Sequence, residues 1–186
     1  IVQKGISSNS VCEDDVIIVS RDVGAHGATI FAAREGMDIS TSLQSDCASL
    51  WPQVKALIDS GVKITALRDA TRGGVSAVLN EWANQSDVCI EVQEDKVPVS
   101  DEVKGICELL GFEAMSLANE GTFVLAVNKS EANKALEVLK QFENSSNAAV
   151  IAEVSQAYEK RVVLHSAWGT KRFLELPTGE LLPRIC

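Results

Sequence analysis

The sequence predicts a layered α/β (α+β) fold: a mixed, largely antiparallel sheet of roughly five to seven strands with helices packed on it. Three observations carry this expectation. Short aliphatic runs alternate with segments of helical periodicity along the 186 residues. The last two runs flank a tight turn and read as a hairpin, which breaks the rhythm of a doubly wound parallel sheet. Aromatic residues make up only 5% of the chain, so the core is expected to be built from Ala, Val, Leu and Ile.

The elements follow in order. "DDVIIVS" (14–20) is a continuous aliphatic run and reads as a buried strand. After "RDVGAHGAT" comes the helical "IFAAREGM", with Gly36 as its stop. "SDCASLWPQVKALIDSG" (45–61) has polar start signals and a glycine after it, and reads as a helix whose first turns hold Pro52 or bend at it. "VKITAL" (62–67) is a strand and "VSAVLNEWANQ" (75–85) a helix. "VCIEV" (88–92) alternates and reads as a strand. Ser100 is placed as the N-cap of a helix over 101–110, with Gly111 past its end. "TFVLAV" (122–127) is a strand, and Ser130 is placed as the cap of a helix over 131–142. "AAVIAEV" (148–154), "RVVLHS" (161–166) and "KRFLEL" (171–176) are strands, the last two joined through "AWGT". The chain reads as one domain, with residues 1–12 its least structured part.

Composition excludes some functions. A net charge of −9 argues against non-specific nucleic-acid binding, which needs a basic footprint. It is compatible with a nucleotide, whose phosphates a few N–H groups and one Arg can hold. No apolar run approaches the roughly 20 residues that span a bilayer, and no signal-peptide pattern opens the chain. The five cysteines, Cys12, Cys47, Cys89, Cys107 and Cys186, include no CxxC pair, and there are only two histidines. A reducing, cytoplasmic setting without a zinc site is expected. Cys89 and Cys107 alternate with apolar residues and are expected in the core. Cys186 has no such context: it is the last residue, two after a proline-arginine pair.

Three stretches carry candidate chemistry. In "LRDATRGGVSAVLNEWA" (67–83) a strand delivers the chain to Asp69, then to Thr71, Arg72, Gly73 and Gly74, then to a long helix. Paired glycines let the backbone approach a ligand, and N–H groups at a helix start attract anions. The bland alternative is a capped helix entry with Asp69 or Thr71 as N-cap. "VGAHGAT" (23–29) is a second glycine-bearing turn, with His26 either a polar contact or a hydrogen-bonded turn residue. "LANEGTFVLAV" (117–127) places Asn119, Glu120 and Gly121 before a buried strand. A partly buried carboxylate there would suit proton transfer; the alternative is a surface turn.

Together, "DATRGG", "ANEG", "ELLG" and the terminal "PRIC" resemble the HypE family of hydrogenase expression/formation proteins, over essentially the whole chain from about Asp14 to Cys186. "DATRGG" is generic to the wider superfamily of aminoimidazole ribonucleotide synthetase (PurM), selenophosphate synthetase and thiamine-phosphate kinase; "PRIC" is specific to the HypE family. The resemblance implies a PurM C-terminal-domain-like fold over 14–186 with a flexible tail at 177–186, and a residual linker at 1–13 from an N-terminal ATP-binding domain. It implies that Cys186 accepts a carbamoyl group from the carbamoyltransferase HypF, and that ATP-dependent dehydration turns it into a thiocyanate. The cyanide would then pass to iron on HypC–HypD, for the NiFe hydrogenase site. The implied roles are Cys186 as acceptor and Glu120 as base. Asp69, Thr71, Arg72, Gly73, Gly74 and His26 would form one wall of the nucleotide cleft. ATP and Mg²⁺ would be held mostly by the N-terminal domain, and the full-length protein would be a homodimer. One departure lies inside the match: Gly24-Ala25-His26-Gly27 stands where the family commonly has Gly-Asp-His-Gly, so no carboxylate is expected from that turn. Two other readings remain: a non-catalytic carrier or docking module, and another ATP-dependent enzyme of the superfamily.

Overall fold

A computed structural model describes residues 5–35 and 43–176. The stop at Gly36 and the whole tail with Cys186 lie outside the described residues. The described residues form seven strands: β1 (Asp15–Val19), β2 (Ile64–Asp69), β3 (Cys89–Gln93), β4 (Phe123–Asn128), β5 (Ala149–Ser155), β6 (Arg161–His165) and β7 (Lys171–Phe173). They join in one sheet of order β2-β4-β1-β5-β3-β6-β7. Every neighbouring pair is antiparallel except β3 with β6. The mixed, largely antiparallel sheet is therefore as expected, and β6–β7 is the terminal hairpin.

All five residues of β1 are buried because helices cover both faces of this part of the sheet. Ile17 and Val19, with Val124 and Ala126 of β4, pack on Val75, Val78, Leu79 and Trp82 of helix α3 (Gly74–Ser86). Val16 and Ile18, with Phe123, Leu125 and Val127, face the other way. They meet Leu57 of α2 (Trp51–Asp59) and Ala135, Val138 and Leu139 of α5 (Ala132–Leu139). A smaller cluster joins Ala28 of α1 (Ala25–Arg34) to Val103, Ile106 and Cys107 of α4 (Asp101–Leu110). The core is aliphatic, with Trp82 its largest side chain. Trp82→Ala is expected to lower the unfolding free energy by about 3–5 kcal/mol. Urea unfolding checks this, and a loss below about 1 kcal/mol would contradict the packing.

Several boundaries differ from expectation, each for a local reason. α1 begins five residues earlier than its apolar run, because the turn "AHGAT" forms its first helical residues. α2 begins at Trp51 with Pro52 in its first turn, and residues 45–50 are not helical. Ser130 does not cap α5, whose N-cap is Glu131 with no side-chain cap; the Asn128 side-chain oxygen instead accepts from the Ser130 N–H and caps the short 3-10 turn Lys129–Glu131 that precedes it. Ser100 and Gly111 do bound α4, Ser100 by accepting from the Val103 N–H and Gly111 at φ 70°. Residues 5–12 are not loose. Val11 is buried, Ile6 packs against the core cluster that holds Val16, Ile18 and Leu57, and the Ser7 N–H bonds the Thr65 carbonyl.

Candidate active site

The three glycine- and carboxylate-bearing stretches meet at one end of the sheet. β2 stops at Asp69, and the next N–H, of Ala70, donates to the Thr122 carbonyl at 2.9 Å. The chain then turns through Gly73 (φ 74°) and Gly74 (φ 60°), both left-handed, into α3. A Cβ on Gly74 would lie 2.4 Å from the carbonyl oxygens of Met115 and Leu117, so only glycine fits. Gly73 is the N-cap and no side chain caps α3. The capped entry through Asp69 or Thr71 is therefore not realised. Asp69 and Arg72 are exposed, and Thr71 is half-buried.

The second turn lies against the same loop. Gly24 (φ 86°) caps α1, and its N–H donates to the Asn119 side-chain oxygen at 2.7 Å. The Gly27 N–H donates to the Ala118 carbonyl at 2.9 Å. His26 is half-buried, with Nδ1 2.9 Å from the Ser45 hydroxyl. Asn119 ties both turns to "ANEG". Its amide nitrogen donates to the Ala70 carbonyl at 2.8 Å while its oxygen receives Gly24.

Glu120 is the only side chain of Asn119–Thr122 that is exposed. The partial burial expected for its carboxylate is absent among the described residues, because the turn presents residue 120 outward while its neighbours point inward. The backbone beneath it is held by Asp46, which is 3% exposed. One carboxylate oxygen of Asp46 accepts from the Glu120 N–H (3.0 Å). The other accepts from the Gly121 N–H (2.9 Å) and the Thr122 hydroxyl (2.7 Å). Arg21 donates to the Asp46 main-chain carbonyl at 3.3 Å.

Thus His26, the 69–74 turn and Glu120 are brought to one region, and Cys186 lies outside the described residues. Asp46, Arg21 and the linking role of Asn119 were not read from the sequence. Asp46 looked like a helix-start residue, and its partners are 74 to 76 positions away. Among the described residues no group of three or more His, Cys, Asp or Glu side chains is arranged to hold a metal ion. No helix among them is long and apolar enough to cross a membrane.

The described thiols differ in availability. Burial pushes the thiols of Cys89 and Cys107 up from their ordinary range, whereas Cys47 is exposed beside the site. Iodoacetamide at neutral pH should label Cys47 well before Cys89 and Cys107, because the thiolate is the nucleophile. Peptide mass mapping checks the order.

Residues 13–165 match the family AIR synthase related protein, C-terminal domain. The chain belongs to that family. It is 47% identical over 173 residues to the carbamoyl dehydratase HypE of Escherichia coli K12, covering 92% of this chain and 50% of that protein. It is 39% identical over 183 residues to a hydrogenase expression/formation protein of Methanocaldococcus jannaschii, covering 98% and 54%. The chain therefore spans about half the length of these curated relatives. A crystal structure of the hydrogenase maturation protein HypE superposes with TM-score 0.94 at 36% identity, covering all of this chain and 60% of that one. HypE structures in complex with ATP (TM-score 0.91, 36% identity, 97% and 55% covered) and with HypF (0.87, 37%, 92% and 56%) are also similar. The expected PurM-like AIR synthase fold and the resemblance to HypE are both borne out.

Proposed function

We propose that this chain is the C-terminal domain of a cytoplasmic carbamoyl dehydratase of NiFe-hydrogenase maturation. The observation that carries the reading is the meeting of "DATRGG", the His26 turn and "ANEG" at one end of the sheet, in a chain similar to HypE along nearly all its length. Residues 1–13 would lead from an N-terminal domain, and residues 177–186 would be the tail that carries the cysteine.

In this reading Cys186 holds a thiocarboxamide. The carbonyl oxygen takes the γ-phosphoryl group of ATP and ADP leaves. The amide nitrogen then loses both protons as the C–O bond breaks and phosphate departs. The sum is thiocarboxamide plus ATP giving thiocyanate, ADP, phosphate and a proton, with the oxygen and one of the two amide protons carried off on the hydrogen phosphate and the other proton released to solvent. Glu120, exposed at the turn, would accept a proton from nitrogen. Arg72, the N–H groups around Gly73 and Gly74, and His26 would line the C-domain wall of the nucleotide cleft. Mg²⁺ would be held by the N-terminal domain. HypF would load the cysteine, HypC–HypD would receive the cyanide, and the full-length protein would be a homodimer.

A carrier reading is favoured for the chain by itself, because Glu120 is exposed. Half of a cleft leaves the phosphates in water, where each charge contact is weak. By calorimetry, the 186-residue chain with ATP and Mg²⁺ should bind weakly or not at all. A dissociation constant at or below about 10 μM would mean that a complete nucleotide site lies in this domain. The proposed function is tested by intact mass after incubation of the full-length protein with HypF, carbamoyl phosphate and ATP. Gain of a carbamoyl group on Cys186 followed by loss of water supports it; gain without loss supports the carrier reading; no gain overturns both.

A further inference from the structure

Asp46 is a carboxylate with almost no contact with solvent, and its three side-chain hydrogen bonds among the described residues all go to one turn. Burying a carboxylate is costly unless donors replace the lost water. Here two backbone N–H groups and a hydroxyl do so at 2.7–3.0 Å. Bonds to a charged acceptor are roughly twice as strong as neutral ones. The turn is also pressed onto Asp46 from outside: a Cβ on Gly121 would lie 1.8 Å from the Asp46 carbonyl oxygen. At its two ends the Asn119 N–H and the Thr122 carbonyl are both bonded to Ala70. The only member of the turn with an exposed side chain is Glu120, and its own N–H is one of the three donors.

We propose that Asp46 is a positioning residue: through its carboxylate it fixes the backbone of residues 120–122 and so the direction in which the Glu120 side chain leaves the turn. The proposal rests on the reading of Glu120 as the proton acceptor. A carboxylate whose backbone is free to rotate would still be exposed. It would spend little time within hydrogen-bond reach of one particular amide nitrogen, and a misplacement of about 1 Å can cost about 100-fold in rate. Asn at position 46 would keep one acceptor oxygen but set an NH₂ against a backbone N–H, releasing one edge of the turn.

The test uses the full-length protein, loaded with carbamoyl by HypF, with ATP varied and thiocyanate followed by mass. Asp46→Asn is expected to load normally, to keep KM for ATP within about threefold, and to dehydrate about 10- to 100-fold more slowly. Thr122→Val, which removes only the hydroxyl donor, is expected to slow dehydration in the same direction by less. In a Glu120→Gln background neither substitution should cost anything further, because the group they aim is already gone. Full additivity with Glu120→Gln, a change confined to KM, or a wild-type rate in Asp46→Asn would overturn the proposal. If Asp46→Asn fails to fold, Thr122→Val decides by the same additivity rule. Slow Glu120→Gln with normal Asp46→Asn sinks this inference alone. Normal dehydration by Glu120→Gln sinks the reading of Glu120 and this inference with it.

Discussion

Cys186→Ala in the full-length protein should abolish carbamoyl loading altogether, while its thermal midpoint stays close to that of the wild type. This outcome follows from the proposed function, in which Cys186 is the acceptor, and the described thiols are less suited to that role. Cys89 and Cys107 are buried, and burial raises their thiols away from the reactive thiolate form. Cys12 is exposed, and its thiol is raised by partial desolvation and then by the neighbouring Asp15 carboxylate. Cys47 is exposed, but it lies between Asp46 and Ala48, the segment pressed onto Gly121. A side chain on a segment packed in this way cannot carry a group from a loading enzyme to a nucleotide site and then to an iron-bearing partner. Intact-mass measurement after loading checks the result. A carbamoyl adduct on Cys186→Ala would show that another thiol is the acceptor, and Cys47 would be the first to examine.

Glu120→Gln should leave loading unchanged and slow dehydration by about 10²- to 10⁴-fold, the usual cost of losing a general base. Gln keeps the size and a hydrogen-bonding oxygen, so the turn on Asp46 should stay in place. The side chain loses its ability to take a proton. Because Glu120 is exposed in this domain, water would screen it unless the full-length assembly covers the site. The same substitution should therefore leave the unfolding midpoint of the 186-residue chain almost untouched, since exposed substitutions usually shift stability by about 0.5 kcal/mol or less. Normal dehydration by the variant would return Glu120 to the role of a surface turn residue.

Much of the fold was legible from short-range pattern. The unbroken run "VIIV" marked a strand covered on both faces, and β1 is that strand, with alternate residues feeding two cores. Ser100 and Gly111 marked the ends of α4, because a hydroxyl that accepts an N–H and a residue at positive φ are local requirements. The glycines of "DATRGG" and the position of "ANEG" before a buried strand could be read for the same reason. Four things were decided only by tertiary structure. β3 and β6 pair in parallel although 71 residues separate Ile90 from Val162 on the next strand but two, a pairing that no local periodicity encodes. Residues 5–12 are held because the Ser7 N–H bonds the Thr65 carbonyl and the Ser86 hydroxyl bonds the Ser8 carbonyl. Glu120 points outward because Asn119, Gly121 and Thr122 are all claimed from within. Asp46 reads locally as the start of a helix, and it became the anchor of a distant turn only when the sheet brought that turn's donors to it. Residue type and spacing determine which segments form strands, helices and tight turns, since those depend on neighbours a few positions away. Which buried charge meets which backbone depends on packing across the whole chain, and that is where the candidate site took its shape.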